Sequence, residues 1–529
     1  MNAGHIFVTM GNILNFKSDA WLLPVDRKAS PGTGWTTALP RLRKSLNANN
    51  LEPLRNETAF AVALGDWPDN EPMPVLTAVP FHGVEAAEDL RPRFRAFLDV
   101  ATDGLVDRPR RDRNASGRSL LAVPFFGTGH GGGNIYRGEI LRVLFEEAYA
   151  EAARSGVDVV FVFQDQAGFA LAQQQRRGRP AAWSSLRDSH LAEARKLAEL
   201  AQAGILVPFL GAGVSISAGA PTWERLLEHL AEEAGLSELE KTALKGLGNL
   251  DRASVLRTFY ADRSQAAGKL TLGEAVKSAV DMKKYGLAPS LLACLPSEGA
   301  ITLNYDSLFE TAAEDAGNPR NVIPGKGRDT VAKWVLKLHG SVEEPESIVL
   351  TRDDYLDYSA TKEALSALVK AHLITHHLLF VGFGLSDDHF HEIMHDVRRA
   401  LPAKEAGGNF GTALMLDSDS MRQHLWGKHL SLVSMADPDS SEPDVEQAAR
   451  TLEIFLDALI AYSSDSHSFL LADAYDGGLS PDERKLREAL LTLKSLPAAN
   501  GASSAAPVID RMLRELGWDG KAPKSEPLP

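Results

Sequence analysis

The residues of this chain best equipped for chemistry lie between positions 205 and 395, each at the end of an apolar run. Phe209-Leu210 leads into Gly211-Ala212-Gly213-Val214-Ser215, and Thr302-Leu303 leads into Asn304-Tyr305-Asp306. Lys337-Leu338 leads into His339-Gly340-Ser341, and Phe380-Val381 into Gly382-Phe383-Gly384-Leu385-Ser386. Glycines at a strand-to-helix turn let the backbone approach a diphosphate, while the amides that open a helix supply partial positive charge. The turn is not the dinucleotide fingerprint G-x-G-x-x-G, because Ile216 stands where the third glycine belongs. Asn304 and Asp306 are polar groups delivered to a strand end, where a ligand sits; an Asx turn or a helix cap is the alternative reading. His339 followed by Gly340 is either a turn residue or an imidazole able to accept a proton near neutral pH. His391-Glu392-Ile393-Met394-His395 has the spelling of a zinc-peptidase helix. It follows Asp387 and Asp388, which suit a helix cap, so a helix with coincidental histidine spacing is expected and no metal is assigned.

These turns need a scaffold. Ile205–Leu210, Ala300–Leu303, Val335–Leu338, Ser347–Leu350, Leu378–Gly382 and Thr412–Leu416 read as buried strands, with helices at Leu191–Gln202 and Thr222–Ala234 and a helical insertion over 235–290. Strand alternating with helix implies a parallel sheet with ligands at the carboxyl ends of its strands. Residues 1–172 repeat the alternation: Ile6–Met10, Ala20–Pro24, Val75–Val79, Leu120–Phe126 and Val157–Phe163 as strands, Gly138–Ser155 as a helix. The expected architecture is α/β throughout: one domain over 1–172, a second over 190–435 with a Rossmann-like parallel sheet, and a helical C-terminal region over 445–520. The polar stretch Gln173–Asp188 and the Asp/Ser/Pro-rich Ala436–Asp444 read as linkers.

Composition narrows the setting. At 529 residues the chain exceeds what one hydrophobic core usually serves. A single cysteine, Cys294, excludes an internal disulfide and any thiolate zinc cluster, and points to a reducing, cytoplasmic location. The net charge of −14 gives no global attraction to nucleic acid or membrane. No run approaches a membrane span, and the opening residues lack a signal-peptide pattern.

In their order and spacing, the four turn segments resemble the sirtuin-like NAD-binding family over roughly 201–433. The resemblance implies that Gly211, Ala212, Gly213 and Ser215 hold the diphosphate of NAD. Asn304 and Asp306 would line the nicotinamide and ribose pocket, His339 would act as general base on a ribose hydroxyl, and Gly382, Gly384 and Ser386 would line the adenosine side. Three departures separate the chain from the deacylase branch: it has no Cys-x-x-Cys pairs, Gly219-Ala-Pro221-Thr-Trp223 replaces an Ile-Pro-x-Phe-Arg segment, and Tyr305 follows Asn304. They match the bacterial defence-associated proteins that cleave NAD. The expectation is hydrolysis to nicotinamide and ADP-ribose by an anti-phage effector, with NAD as substrate and no metal. A deacylase, an ADP-ribosyltransferase and a silent NAD- or ADP-ribose-binding scaffold are the alternatives.

Gly11-Asn12-Ile13, Asp19–Asp26 and the loop Gly127-Thr128-Gly129-His130-Gly131-Gly132-Gly133 resemble a macro domain, an ADP-ribose-binding module. Gly127, Thr128, Gly129 and Gly131 would cradle a phosphate. Asn12 replaces the usual Asp, and Leu23-Pro24-Val25-Asp26 replaces the asparagine-rich segment of the hydrolytic members, so the domain reads as a nucleotide sensor. Arginines at 91, 93, 95, 108, 110, 111, 113 and 118 read as a solvated run or an anion surface. Unchecked NAD loss would kill the host, so an off state is expected, relieved by a nucleotide-like activator, a partner protein from a defence operon, or homo-oligomer assembly.

Overall fold

A computed structural model describes residues 3–106, 117–129, 132–264, 270–325, 332–401, 409–438, 444–495 and 506–519. The first unit is a six-stranded sheet in the order β1-β6-β5-β2-β4-β3. Its strands are β1 Ile6–Met10, β2 Ala20–Val25, β3 Ala61–Ala63, β4 Met73–Ala78, β5 Leu120–Pro124 and β6 Asp158–Phe163. All pairings are parallel except β3 with β4. Every residue of β1, β4 and β6 is buried, which is why these strands read as continuous apolar runs.

The second unit is a seven-stranded, all-parallel sheet in the order β13-β12-β11-β7-β8-β10-β9. It comprises β7 Leu206–Leu210, β8 Gly299–Thr302, β9 Asn321–Ile323, β10 Trp334–Lys337, β11 His377–Val381, β12 Gly411–Met415 and β13 Ser431–Ser434. The α/β class and the parallel sheet agree with the sequence reading. Chain order reverses at β7, which lies between β11 and β8, and the open end there is where a doubly wound sheet takes its ligand.

Four local expectations change. Ser347–Leu350 is not a strand: a 3-10 turn occupies Pro345–Ser347, and Ile348–Leu350 packs into a satellite core without a ladder. The Gly-rich turn after Gly211 is wound into a short 3-10 helix, Ala212–Ala218, while the α-helix expected over Thr222–Ala234 runs Trp223–Glu233, capped by Thr222. Gln173–Arg177 is not linker but the last turns of the helix Gln166–Arg177. Arg91, Arg93 and Arg95 sit on the helix Arg91–Val106 and are committed to Glu88, Glu146, Glu147 and Glu57; Arg108, Arg110, Arg111 and Arg113 lie outside the described residues.

The two units share one buried cluster that includes Phe7, Leu291 and Phe455. Val445–Ser463, expected as part of the tail, is the helix between them, packing on Asp188–Gln202, Leu287–Ala293, Gln166–Arg177 and β1. At its centre Asp457 accepts from Arg176, from His5 Nε2 at 2.9 Å, from Trp183 Nε1 at 2.8 Å and from Val8 N at 3.3 Å. Buried charge is tolerated only when paired and hydrogen-bonded, and this partner set explains why Gln173 and Arg176 are buried in a polar-looking stretch.

Candidate functional site

A cavity of about 440 Å³ opens at the carboxyl ends of β7, β8 and β11. It gathers Gly211, Ala212, Ser215, Asn304, Asp306, His339, Gly382, Gly384 and Ser386, all but one of the residues assigned to the site from sequence. The exception is Gly213, which packs against the facing turn. A Cβ there would lie 2.7 Å from Gly382 Cα, so this glycine is needed for two turns to touch rather than for ligand contact. Gly382 has φ +63, and its own Cβ would meet Val214 N at 2.4 Å, so both partners of the contact must be glycine.

Within the cavity the polar groups form a directed chain. Asn304 Nδ2 donates to Gly211 O at 3.1 Å and to Ser215 Oγ at 3.2 Å. Ser215 Oγ donates to Asp306 Oδ2 at 2.8 Å, and Asp306 Oδ1 accepts from Leu308 N at 3.1 Å. A carbonyl only accepts, so Gly211 fixes which end of the Asn304 amide is the donor and leaves Oδ1 as its acceptor for a guest. Asp306 and Ser215 are buried, and they hold Asn304 in place more than they present themselves to a ligand. Burial pushes the Asp306 carboxyl up, opposed by nearby Lys337. Lys337 Nζ reaches Asp306 O and Glu310, a structural duty for a lysine the sequence reading left unassigned.

His339 is buried beside Asp387, His389, Tyr355 and Tyr358. Burial depresses its pKa to about 4, partly countered by Asp387, so it is neutral across the physiological range and able to accept a proton. Sequence reasoning missed Tyr355, whose hydroxyl donates to Asp387 Oδ2 at 2.7 Å, and missed the apolar wall. That wall comes from Pro221, Trp223 and Leu226 and, from the helical insertion, Leu250 and Val280. Pro221 and Trp223 belong to the segment that departs from the deacylase pattern; Leu226, Leu250 and Val280 carried only the apolar spacing of any packed helix.

Among the described residues, the one group of His, Cys, Asp or Glu with three ligand atoms within 4.8 Å of one another is His339, Asp387 and His389. His391 and His395 are not in it. His391 Nε2 lies 3.0 Å from Leu385 O, and its ring tilts on Trp426, on a helix capped by Asp387.

A second cavity, of about 880 Å³, lies in the first unit and is lined by Gly11, Ile13, Asp26, Trp35, Gly127, Thr128, Gly129, Arg137 and Asp165 among others. Gly131 lies outside the described residues. Asn12 is not in the lining: its Oδ1 accepts from Leu14 N, and its amide donates to Tyr285 of the second unit.

A parallel α/β cleft with glycine turns facing a buried imidazole is the frame of a nucleotide-handling domain. Residues 298–431 match the model of the SIR2-like domain family, a stretch that holds the Asn304, His339 and Gly382 segments but not the Gly211–Ser215 turn. The chain is 31% identical over 212 residues to defense-associated sirtuin 2 of Bacillus subtilis, covering 39% of this chain and 20% of that protein. It is 29% identical over 269 residues to the NAD(+) hydrolase ThsA of Bacillus cereus strain MSX-D12, covering 48% and 49% respectively. It is 30% identical over 222 residues to the ThsA NAD(+) hydrolase of Enterococcus faecium, covering 39% and 43%. The aligned part spans less than half the length of each of these relatives. No helix among the described residues is long and apolar enough to cross a membrane.

Proposed function

We propose that this protein is an NAD hydrolase of bacterial defence, cleaving the nicotinamide–ribose bond to give nicotinamide and ADP-ribose. The observation that carries the reading is the meeting of Asn304, His339 and the Gly211–Ser215 turn in one cavity, with similarity to proteins named as NAD(+) hydrolases in support. Cleavage passes through an oxocarbenium-like state. The leaving group is already cationic and departs neutral, so no strong acid is needed. The Asn304 Oδ1 acceptor orients the ribose or the attacking water, and neutral His339 takes up a proton. The glycine turns hold the diphosphate, and the apolar wall excludes bulk water. Positioned acid–base groups of this kind contribute about 10²- to 10⁴-fold each.

The first unit acts as a macro-like sensor for a nucleotide-like activator. Support comes from the segment Gly11–Lys17. Gly11 and Ile13 line the cavity of the first unit, while Asn12 binds Tyr285 and Lys17 Nζ reaches Ala218 O, next to the catalytic turn. A ligand that shifts this segment has a short route to the NAD site.

The test is NAD turnover by purified protein, with and without ADP-ribose as probe of the cavity in the first unit, comparing His339→Ala and Asn304→Ala. Loss of nicotinamide release in both variants is expected; undiminished turnover in both sinks the assignment.

A further inference from the structure

His339 and His389 face each other through Nε2 and Nδ1 at 3.2 Å. The far side of His389 is closed by a backbone carbonyl, its Nε2 lying 3.2 Å from Tyr355 O. Since a carbonyl oxygen can only accept, Nε2 of His389 carries the hydrogen. A neutral imidazole has one N–H, so Nδ1 of His389 is left as an acceptor, and Nε2 of His339 is the donor between the rings. The hydrogen of neutral His339 is therefore on Nε2 and its lone pair on Nδ1. His339 itself lines the cavity, and no hydrogen bond ties Nδ1 to a described residue.

The second ring is held firmly. His389 is buried, stacked on Tyr355 at 4.1 Å and 14° and against Tyr358 at 3.9 Å, two residues into a helix capped by Asp387. It is absent from the cavity lining, so any influence it has on a bound substrate passes through the neighbours that do line it, His339 and Tyr355.

We propose that His389 is a positioning residue for the cleavage reaction: it fixes the tautomer of His339 so that Nδ1 is the atom that accepts a proton. The proposal rests on the NAD-hydrolase reading above. The O–H of the ribose hydroxyl or of the attacking water breaks, and its proton ends on Nδ1. Nε2–H stays with His389, and Asp387 Oδ2, 3.9 Å from Nε2, offsets the charge of the imidazolium. The charged and titratable groups facing His339 are Asp387, His389 and Lys362, with Tyr355 and Tyr358 closing the remaining sides.

Histidine-selective ¹⁵N labelling of the full chain, with His339→Gln to assign the resonances, reads the tautomer directly. A bare Nδ1 and a protonated Nε2 on His339 are expected at neutral pH. His389→Phe, which keeps the stacked ring but removes the acceptor, loses that pattern. His389→Asn restores it by placing Oδ1 at the acceptor position. With a chelator present, kcat of His389→Phe falls about 10²-fold with little change in KM, and its pH profile shifts, while His389→Asn recovers most of the rate. An Nδ1–H tautomer on wild-type His339, or a His389→Phe variant with unchanged kcat and pH profile, overturns the proposal. Absence of NAD turnover in the wild type sinks the hydrolase reading separately, because the spectra need no substrate.

Discussion

The hydroxyl of Tyr285 accepts the amide hydrogen of Asn12 at 3.0 Å, joining the turn after the first strand of one α/β unit to the loop that enters Leu287–Ala293 in the other. Tyr285 is fully buried, and a Cβ on Gly11 would lie 2.7 Å from its hydroxyl. Gly286, the next residue, is packed on Ser217 of the 3-10 helix Ala212–Ala218 that follows Gly211. Two cavities with different chemistry are thus separated by a few rigid contacts.

Tyr285→Phe leaves the packing but strips the Asn12 amide of its partner. Leaving a buried donor unsatisfied costs about 1–3 kcal/mol. Urea denaturation should show that loss, and the response of NAD turnover to a ligand in the cavity of the first unit should weaken. Unchanged stability and unchanged response would remove Tyr285 from the coupling route.

Asp457→Ala attacks the bridge helix. It leaves Arg176 buried without its carboxylate, and breaking such a pair costs about 3–5 kcal/mol. The Arg176 charge and the His5 hydrogen bond outweigh burial and hold Asp457 down to about 2, against an ordinary value of 3.8. A depressed carboxyl contributes stability that is complete above the unfolded value and is lost as pH falls from 3.8 towards 2. The wild type should therefore lose stability across that window by more than Asp457→Asn does, measured by thermal unfolding at each pH.

His339 gives the opposite chemistry the same sign. Its value of about 4, against 6.5 unfolded, means the unfolded chain binds the proton more readily between those limits, so stability declines as pH falls from 6.5 to 4. For the same reason the acid limb of kcat/KM should sit near pH 4 rather than near 6.5. Asp387 raises this value, so Asp387→Asn should move the limb lower still. A limb at 6.5 would mean that His339 is not the group accepting the proton.

Chelation tests the zinc-like spelling. With His391 tied to Leu385 O and the helix cap filled by Asp387, His391→Ala should change neither metal content nor the effect of a chelator on NAD cleavage, which should be nil. One equivalent of zinc, lost in His391→Ala, would reverse this.

Most of the site was legible because its residues mark strand ends. An apolar run followed by glycines, or by Asn and Asp, announces where a parallel strand leaves the sheet, so Gly211, Asn304, His339 and Gly382 could be placed before any coordinates. Most of the cavity wall was not legible, since Leu226, Leu250 and Val280 carry only helical apolar spacing, and spacing does not say which face meets a ligand. Nor was Gly213, which has the look of a ligand-contacting glycine but is set by a backbone crossing.

The sequence by itself determined the α/β class, the parallel second sheet, the order of the chemical turns and the exclusion of disulfide and thiolate-zinc chemistry, because strand periodicity and residue type are local properties. Only tertiary structure decided that a glutamine- and arginine-rich stretch is buried rather than a linker, that the helix 445–463 binds two sheets together, and that His389 turns towards His339. Each of these depends on a partner distant in the chain: Arg176 is paired with Asp457 across 281 positions and His339 with His389 across 50. A buried charge or a hydrogen-bonded imidazole takes its meaning from that partner, and the chain writes no local record of it.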